Sequence, residues 1–427
     1  MALTTSSYAT VQAFLSPLQR AVYRSGSEKD LPLFSATSLE QDMIAGDLPD
    51  HLADLVSRDF DLQTPQADVI DLQEGQRLVC LGDVHGDAQA LRDMLQVAGV
   101  IERSDNLSDD IEWTGGNTIL VQNGDILDRG DSELSCWKLL ARLSHQAVQQ
   151  GGAVIVLWGN HEAMNCEGQF HYTTGDTEYQ EMISQSFYDV DLNEKVSNTN
   201  TGSLVDLWTV PSRIQPAREA TYKPGTGLLV APLLSKLKVA VKVGRTLCVH
   251  AGLTSRHLDE YGGLAGMNRQ ARDWVQGGFG SGGLPECLIG SNGPVWMRDY
   301  SYPCDVEPLD PQAQKRLDSA LFVAGADRMV VGHTVQSMGI NAALNNKVWR
   351  VDVGASRGVK SGTPEVLEVT KQNGREVVSV LTSHEGRLAG SERQARPQGF
   401  VERVAQAVTD TVTVPVAEAV MGIDFDK

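Results

Sequence analysis

The stretch Arg77-Leu78-Val79-Cys80-Leu81-Gly82-Asp83-Val84-His85-Gly86-Asp87 decides how this 427-residue chain is read. A short apolar run ends in Gly-Asp, a histidine stands two residues after the aspartate, and residues 87–97 then carry helical periodicity. A buried strand feeding a helix through a polar turn is the repeating unit of a layered α/β fold. The unit recurs. Residues 119–122, 154–157, 247–249 and 329–331 are further candidate strands beside 78–81, and 131–149, 265–275 and 311–324 are candidate helices. Polar residues therefore stand where strands end. In α/β proteins that rim binds ligands, because loops there turn several side chains toward one point.

Four more clusters end the later strands: Gly124-Asp125-Ile126-Leu127-Asp128-Arg129-Gly130, Gly159-Asn160-His161-Glu162, Val249-His250-Ala251-Gly252 and Gly332-His333-Thr334. They supply carboxylate and carbonyl oxygens and several imidazoles, a mixture that suits Mn, Fe or Zn better than Ca or a structural thiolate zinc site. A lone Gly-Asp or Gly-His is ordinary turn chemistry, whereas five such clusters, each after an apolar run, point to a common site. Successive steps from Asp83 to Asp125, Asn160, His250 and His333 span 42, 35, 90 and 83 residues. Those separations are too long for one loop and suit ligands converging from different strands.

Asp83 and His85, two apart on an extended strand end, face the same way and can grip one ion. Asp125 is the natural bridge to a second, with Asn160, His250 and His333 completing its sphere. Two ions about 3.5–4 Å apart hold a shared hydroxide, lower its pKa and clamp the oxygens of a phosphoryl group during in-line attack. The expected reaction is hydrolysis of a phosphate monoester. Arg129, four residues after Asp125, offers a planar fork for two phosphate oxygens, with a surface ion pair as the competing reading. Asp128 can hydrogen-bond His161 and hold it as proton donor to the departing alkoxide or phenoxide, which makes His161 a general acid and not a metal ligand. Arg298, in Gly293-Pro294-Val295-Trp296-Met297-Arg298, and Arg357, in Val351-Asp352-Val353-Gly354-Ala355-Ser356-Arg357-Gly358, are further candidate phosphate clamps. Closure of a surface loop competes for Arg298. Glu162 either orients its neighbours from a helix start or lies exposed.

Composition limits the partners. Lys and Arg number 36 against 55 Asp and Glu, a formal charge of -19. An evenly spread surplus of that size disfavours nucleic acid and anionic membranes. No apolar run approaches the roughly 20 residues that span a bilayer. The six cysteines, at 80, 136, 166, 248, 287 and 304, form no CxxC pair and read as reduced thiols. A reducing intracellular compartment is expected, cytoplasm or plastid. Oligomeric state is not legible.

The chain divides into a leader at 1–40, a flanking segment at 41–75, a catalytic domain at 76–385 and a tail at 386–427. The first 27 residues lack Asp and Glu, are rich in Ser and Thr, and space Val11, Phe14, Leu15, Leu18 and Val22 as a weak apolar stripe. A targeting peptide and a disordered leader both fit that composition. Residues 165–235 read as a cap-like insertion beside the site, and the glycine-rich 277–293 is expected on the same rim.

The five clusters resemble the successive motifs of the phosphoprotein phosphatases within the calcineurin-like metallophosphoesterases. More narrowly, residues 82–87, Trp113-Thr114-Gly115-Gly116, 159–165, 293–298 and 351–358 resemble the Shewanella-like protein phosphatases, a bacterial-type branch. The resemblance spans residues 77–382. It implies a central β-sandwich flanked by helices, with a dinuclear metal site at the sheet edge. It also implies Asp83, His85 and Asp125 on one ion, Asp125, Asn160, His250 and His333 on the other, His161 with Asp128 as proton donor pair, and Arg129 on phosphate. The main branch has an Asn-Asp-Arg-Gly stretch and a Ser-Ala-Pro-Asn-Tyr-Cys loop that are missing here. Arg298 is the candidate for the first and 351–358 for the second, and sensitivity to inhibitors acting on that loop is open. The function implied is a phosphoprotein phosphatase acting on Ser/Thr or Tyr. A metallophosphoesterase for a dinucleoside polyphosphate or small phosphoester uses the same ions, and a scaffold with a dead centre is the non-enzymatic alternative.

Overall fold

A computed structural model describes residues 56, 58–102, 111–174, 178–179, 214–277, 285–383 and 386–397. The expected leader, the middle of the insertion and the tail beyond 397 lie outside the described residues.

All five candidate strands form. Among the described residues six strands make the first sheet, in the spatial order β12 (Gly386–Ala389), β11 (Arg375–Thr382), β10 (Glu365–Gln372), β2 (Arg77–Leu81), β3 (Ile119–Gln122) and β4 (Ala153–Val156). β2, β3 and β4 run parallel, Leu78 opposite Ile119 and Ile119 opposite Ala153, while β10 is antiparallel to β2. The second sheet has the order β1 (Val69–Ile70), β5 (Ala240–Val243), β6 (Thr246–Val249), β7 (Arg328–Val331), β9 (Val348–Arg350) and β8 (Asn341–Ala343). Here β6, β7 and β9 are parallel.

Strands β3, β4 and β6 are buried along their whole length, the expected fate of continuous apolar runs covered on both faces. One cover is the other sheet: Cys80 Sγ of β2 lies 3.8 Å from Cys248 Sγ of β6. The sheets are also sewn together at an edge, where Lys238 N donates to Val156 O at 3.1 Å and Trp158 N to Lys238 O at 2.8 Å. The architecture is therefore the sandwich implied by the resemblance; alternation of strands and helices alone does not distinguish it from an open sheet.

Helices α1 (Ala88–Val97), α2 (Glu133–Gln149), α3 (Asn160–Cys166), α4 (Ile214–Tyr222), α5 (Ser255–Glu260), α6 (Gly263–Val275) and α7 (Ala313–Ala324) include all four predicted from periodicity. α1 starts at Asp87, whose carboxylate accepts from Gln89 N and Ala90 N at 3.1 Å each, and it buries Ala90, Leu91, Met94 and Leu95. α2 buries Leu134, Trp137, Leu140 and Leu143, roughly 1.5–3 kcal/mol for each large side chain.

The folded domain exceeds the expected 76–385 on both sides. Strand β1 pairs in parallel with β5, and Phe60, Leu62 and Leu72 are buried, so the described part of the expected flanking segment, from residue 58 on, packs into the core. Strand β12 extends the first sheet, and Gln394 bridges Ala342. Strands of two and four residues that cover sheet edges carry little periodicity of their own, which is why the sequence boundary falls short.

Parallel strands point their C-terminal ends the same way, so the turns after β2, β3 and β4 share a rim. The other sheet contributes to it: Asn123 Nδ2 donates to Val249 O at 2.9 Å, and His333 N to Asp83 Oδ2 at 3.1 Å. Pro294, just after the glycine-rich 277–293, reaches the same place: its carbonyl accepts from Ala251 N and Gly252 N; residues 278–284 of that stretch lie outside the described residues.

Candidate metal centre and active site

The rim is held by backbone groups before any side chain acts. Asp125 O accepts from Val84 N at 3.0 Å and His85 N at 2.9 Å, and Ile126 O accepts from Gly86 N at 2.7 Å, so the turns after β2 and β3 fix one another. His85, Asp125, Asp128, Arg129 and His333 all have positive φ, between 45° and 69°. Side-chain-bearing residues seldom adopt that region, at roughly 1–3 kcal/mol each, and such strain concentrates at functional sites. The fully buried Glu162 holds the central turn, accepting from Asp125 N (2.9 Å), Ile126 N (2.8 Å), Leu127 N (3.1 Å) and Gly159 N (2.8 Å). Of the two readings left open for Glu162, the orienting one is correct.

Two sets of potential ligand atoms result, His85 with Asp125 and His161, and Asp125 with His250 and His333, each within 4.8 Å. Asp125 is common to both, as expected of a bridge. Its Oδ2 lies 3.7 Å from His85 Nε2 and 3.4 Å from His250 Nε2. The opposite ring nitrogens are occupied, His85 Nδ1 by Leu127 O at 3.0 Å and His250 Nδ1 by Asn123 O at 2.7 Å, which aims both Nε2 atoms inward. Asn160 Oδ1 joins at 3.1 Å from His250 Nε2. Asp83 accepts hydrogen bonds from His333 N, at 3.3 and 3.1 Å. The turns after β2 and β7 thus meet across the sandwich. Asp352, unassigned in the sequence, is buried near Asp83.

So many buried ionisable groups cannot all keep their ordinary charge. Burial, with the charge of Asp352, pushes the Asp83 carboxyl well up, and burial lifts Asp352 to about 6 and, with Asp125's charge, Glu162 to about 7. Burial and the neighbouring His161 push His85 down to about 3. Burial also opposes a charged His250, but the carboxylate of Asp125 outweighs it and raises His250 to about 10. A proton on His250 thus balances charge where cations would.

The donor set fits two metal ions. All donors are carboxylate, amide oxygen or imidazole, and His333 Nε2 is buried without a hydrogen-bond partner, a costly condition that a ligated ion would relieve. Glycine is required at two places around the cradle: a Cβ on Gly159 would overlap Asp125 Oδ1, and one on Gly332 would overlap Asp83 Oδ1.

Beside the centre, His161 Nδ1 donates to Asp128 Oδ2 at 2.6 Å, and Arg129 approaches His161 Nε2 at 3.3 Å through a terminal guanidinium nitrogen. The pairing of His161 with Asp128 is as expected, although His161 also falls within the first ligand set. Tyr172, 48% exposed, sits over both groups, its ring centre 5.5 Å from the Arg129 guanidinium and 5.2 Å from the His161 ring. Arg298 reaches the rim, donating to Thr334 Oγ1 at 2.8 Å and His333 O at 3.4 Å. Arg357 is committed elsewhere. Its side chain is 70% exposed and binds Asp87, at 3.0 Å from Nε. Sequence reasoning missed Glu133, Asn165 and Arg218, which surround Asp128 from below. Glu133 at a helix start was findable; Arg218, in an insertion without periodicity, gave no signal.

The calcineurin-like phosphoesterase family model matches residues 76–337. The chain belongs to that family. It is a metal-dependent phosphoesterase of the phosphatase kind, homologous to the Shewanella-like protein phosphatases. Shewanella-like protein phosphatase 2 of Arabidopsis thaliana is 35% identical over 72% of this chain and 78% of its own length. Shewanella-like protein phosphatase 1 of Plasmodium berghei is 36% identical over a shorter part, 22% of this chain and 25% of that one. Among solved structures, the cold-active protein-tyrosine phosphatase of a psychrophilic Shewanella species shares the fold, with a TM-score of 0.55 and 23% identity over 80% of this chain and 85% of that one. Among the described residues, no helix is long and apolar enough to cross a membrane.

Proposed function

We propose that this phosphoesterase is a phosphoprotein phosphatase, hydrolysing phosphomonoesters on Ser/Thr or Tyr side chains by in-line displacement. The observation that carries the reading is the convergence of Arg129 and His161 on one point beside Asp125. Asp83, His85, Asp125, Asn160, His250 and His333 are the residues that would hold two ions, with Mn, Fe and Zn all compatible with the donors. When bound, the ions supply Lewis acidity toward the phosphoryl oxygens. Arg129 binds phosphate through its fork, and Arg298 is the candidate second clamp on the opposite side of the centre. His161 donates its Nε2 proton to the leaving oxygen, while Asp128 keeps the ring oriented through Nδ1. Tyr172, exposed above both groups, is placed to meet the side chain that bears the phosphate.

The protein-phosphatase names of the two homologues support a protein substrate over a nucleotide. Metal analysis followed by turnover of phosphoserine, phosphothreonine and phosphotyrosine peptides against diadenosine tetraphosphate tests this. Peptide hydrolysis is the expected result; turnover of the dinucleotide alone would overturn the protein-phosphatase reading, and no turnover with any divalent metal would favour a scaffold. The matching location is a reducing one, since all six cysteines are free and five are buried. A fluorescent fusion of residues 1–40 separates plastid from cytoplasm.

A further inference from the structure

We infer that Arg218, delivered by the insertion, is a positioning residue for the proton donor, fixing the Asp128 carboxylate so that Oδ2 faces His161. The inference rests on the reading of His161 as proton donor. Arg218 lies on α4, its side chain wholly buried. One terminal nitrogen donates to Asp128 Oδ1 at 3.1 Å and to Glu133 Oε1 at 3.0 Å, the other to Glu133 Oε2 at 2.7 Å, and Nε to Asn165 Oδ1 at 2.9 Å. Asn165 Nδ2 in turn donates to Asp128 Oδ1 at 3.1 Å and to His161 O at 2.9 Å.

The two oxygens of Asp128 are therefore treated differently. Oδ1 takes two donors from below, Arg218 and Asn165, and among the described residues Oδ2 is left for the imidazole alone. Rotation of the carboxylate would break two charge-assisted or amide hydrogen bonds at once. The guanidinium cannot drift either, because Tyr179 packs on it at 4.8 Å and Tyr222 at 5.9 Å, with the Tyr179 hydroxyl donating to Glu133. An ion pair that merely fastened the insertion to α2 would need Glu133 only. Arg218 also donates to Asp128 and to the Asn165 that shares it.

Proton donation matters in proportion to how poor the leaving group is. Phenoxide needs a proton as it departs; p-nitrophenoxide leaves well without one. Arg218→Gln, Arg218→Lys and Asn165→Ala, made in the full chain and loaded with Mn2+, are compared on phenyl phosphate and p-nitrophenyl phosphate, with His161→Asn as reference. For His161→Asn, kcat on phenyl phosphate is expected to fall by about 100-fold or more, and much less on the nitrophenyl ester. Arg218→Gln should follow the same pattern, its loss on phenyl phosphate exceeding that on the nitrophenyl ester by about tenfold, with KM little changed and metal content retained; Arg218→Lys should recover part of it. Equal losses of kcat on the two esters would overturn the inference. Should Arg218→Gln not fold, Asn165→Ala, which leaves the contacts with Glu133 intact, makes the same comparison, and equal losses there are equally fatal. If His161→Asn itself shows no preference between the esters, the proton-donor reading fails; if only the Arg218 and Asn165 variants lack it, that reading stands and this inference alone fails.

Discussion

Glu162 shows what a single side chain can organise. Its carboxylate accepts four backbone N–H groups, three of them from the turn that carries Asp125. A glutamine there would turn an NH2 group against donors, and buried groups left unpaired cost about 1–3 kcal/mol each. Glu162→Gln is expected to lower the unfolding free energy by about 2 kcal/mol or more and to weaken metal retention; an unchanged denaturation midpoint would contradict this. Asp125→Asn is the complementary change, since it removes the residue shared by both ligand sets. Metal content measured after gel filtration should drop for both ions, with kcat down by at least about a hundredfold. Asp125 was legible because it stands just after an apolar strand, whereas the sequence left Glu162 between an orienting role and exposure. Arg218 was not legible, since its partner Asp128 lies 90 positions earlier and no periodicity links the two. Nor could spacing reveal that Asp83 bonds to His333, a contact made only when the two sheets stack.

At the level of elements, strands built on three or four consecutive apolar residues announced themselves, while β1 and β12 are among those that did not, because edge strands so short are defined by their neighbours. The start of α1 is a further case. Asp87 was visible as the polar end of the first motif, but the structure gives its carboxylate two tasks, capping α1 and pairing with Arg357. The cap is the larger contribution: Asp87→Ala should cost about 1–2 kcal/mol. Arg357 is largely exposed, and Arg357→Ala should cost under about 1 kcal/mol and leave KM unchanged. Arg129→Ala should instead raise KM, and a comparable rise for Arg357→Ala would restore it as a phosphate clamp.

For the whole molecule, the net charge of -19 bears on partners at long range and says nothing of the centre, where buried charge is balanced within a few ångströms. In the metal-free chain His250 is raised to about 10, so its share of the stability is complete below its ordinary value of 6.5 and is lost as pH climbs toward 10. Asp352, raised to about 6, likewise favours the folded metal-free chain at low pH. Cations must displace the His250 proton, whereas His85, pushed down to about 3, carries none to displace. Mn2+ affinity is therefore expected to rise between pH 6 and 9, with protons released from both His250 and Asp83 when calorimetric titrations are run in buffers of different ionisation enthalpy. Affinity that stays flat over that range would refute the linkage.

The candidate ligands come from both layers of the sandwich: Asp83, His85, Asp125 and Asn160 follow β2, β3 and β4, while His250 and His333 follow β6 and β7. A pair of ions at that rim acts as a rivet through two plates. At a free metal concentration of a hundred times Kd the rivet adds about 2.7 kcal/mol to the folded state. Chelation should lower Tm, and it should raise amide exchange first where the plates meet, at His333, whose N–H donates to Asp83 of the other sheet. Any agent that levers the plates apart would then disarm the phosphatase without ever entering its phosphate pocket.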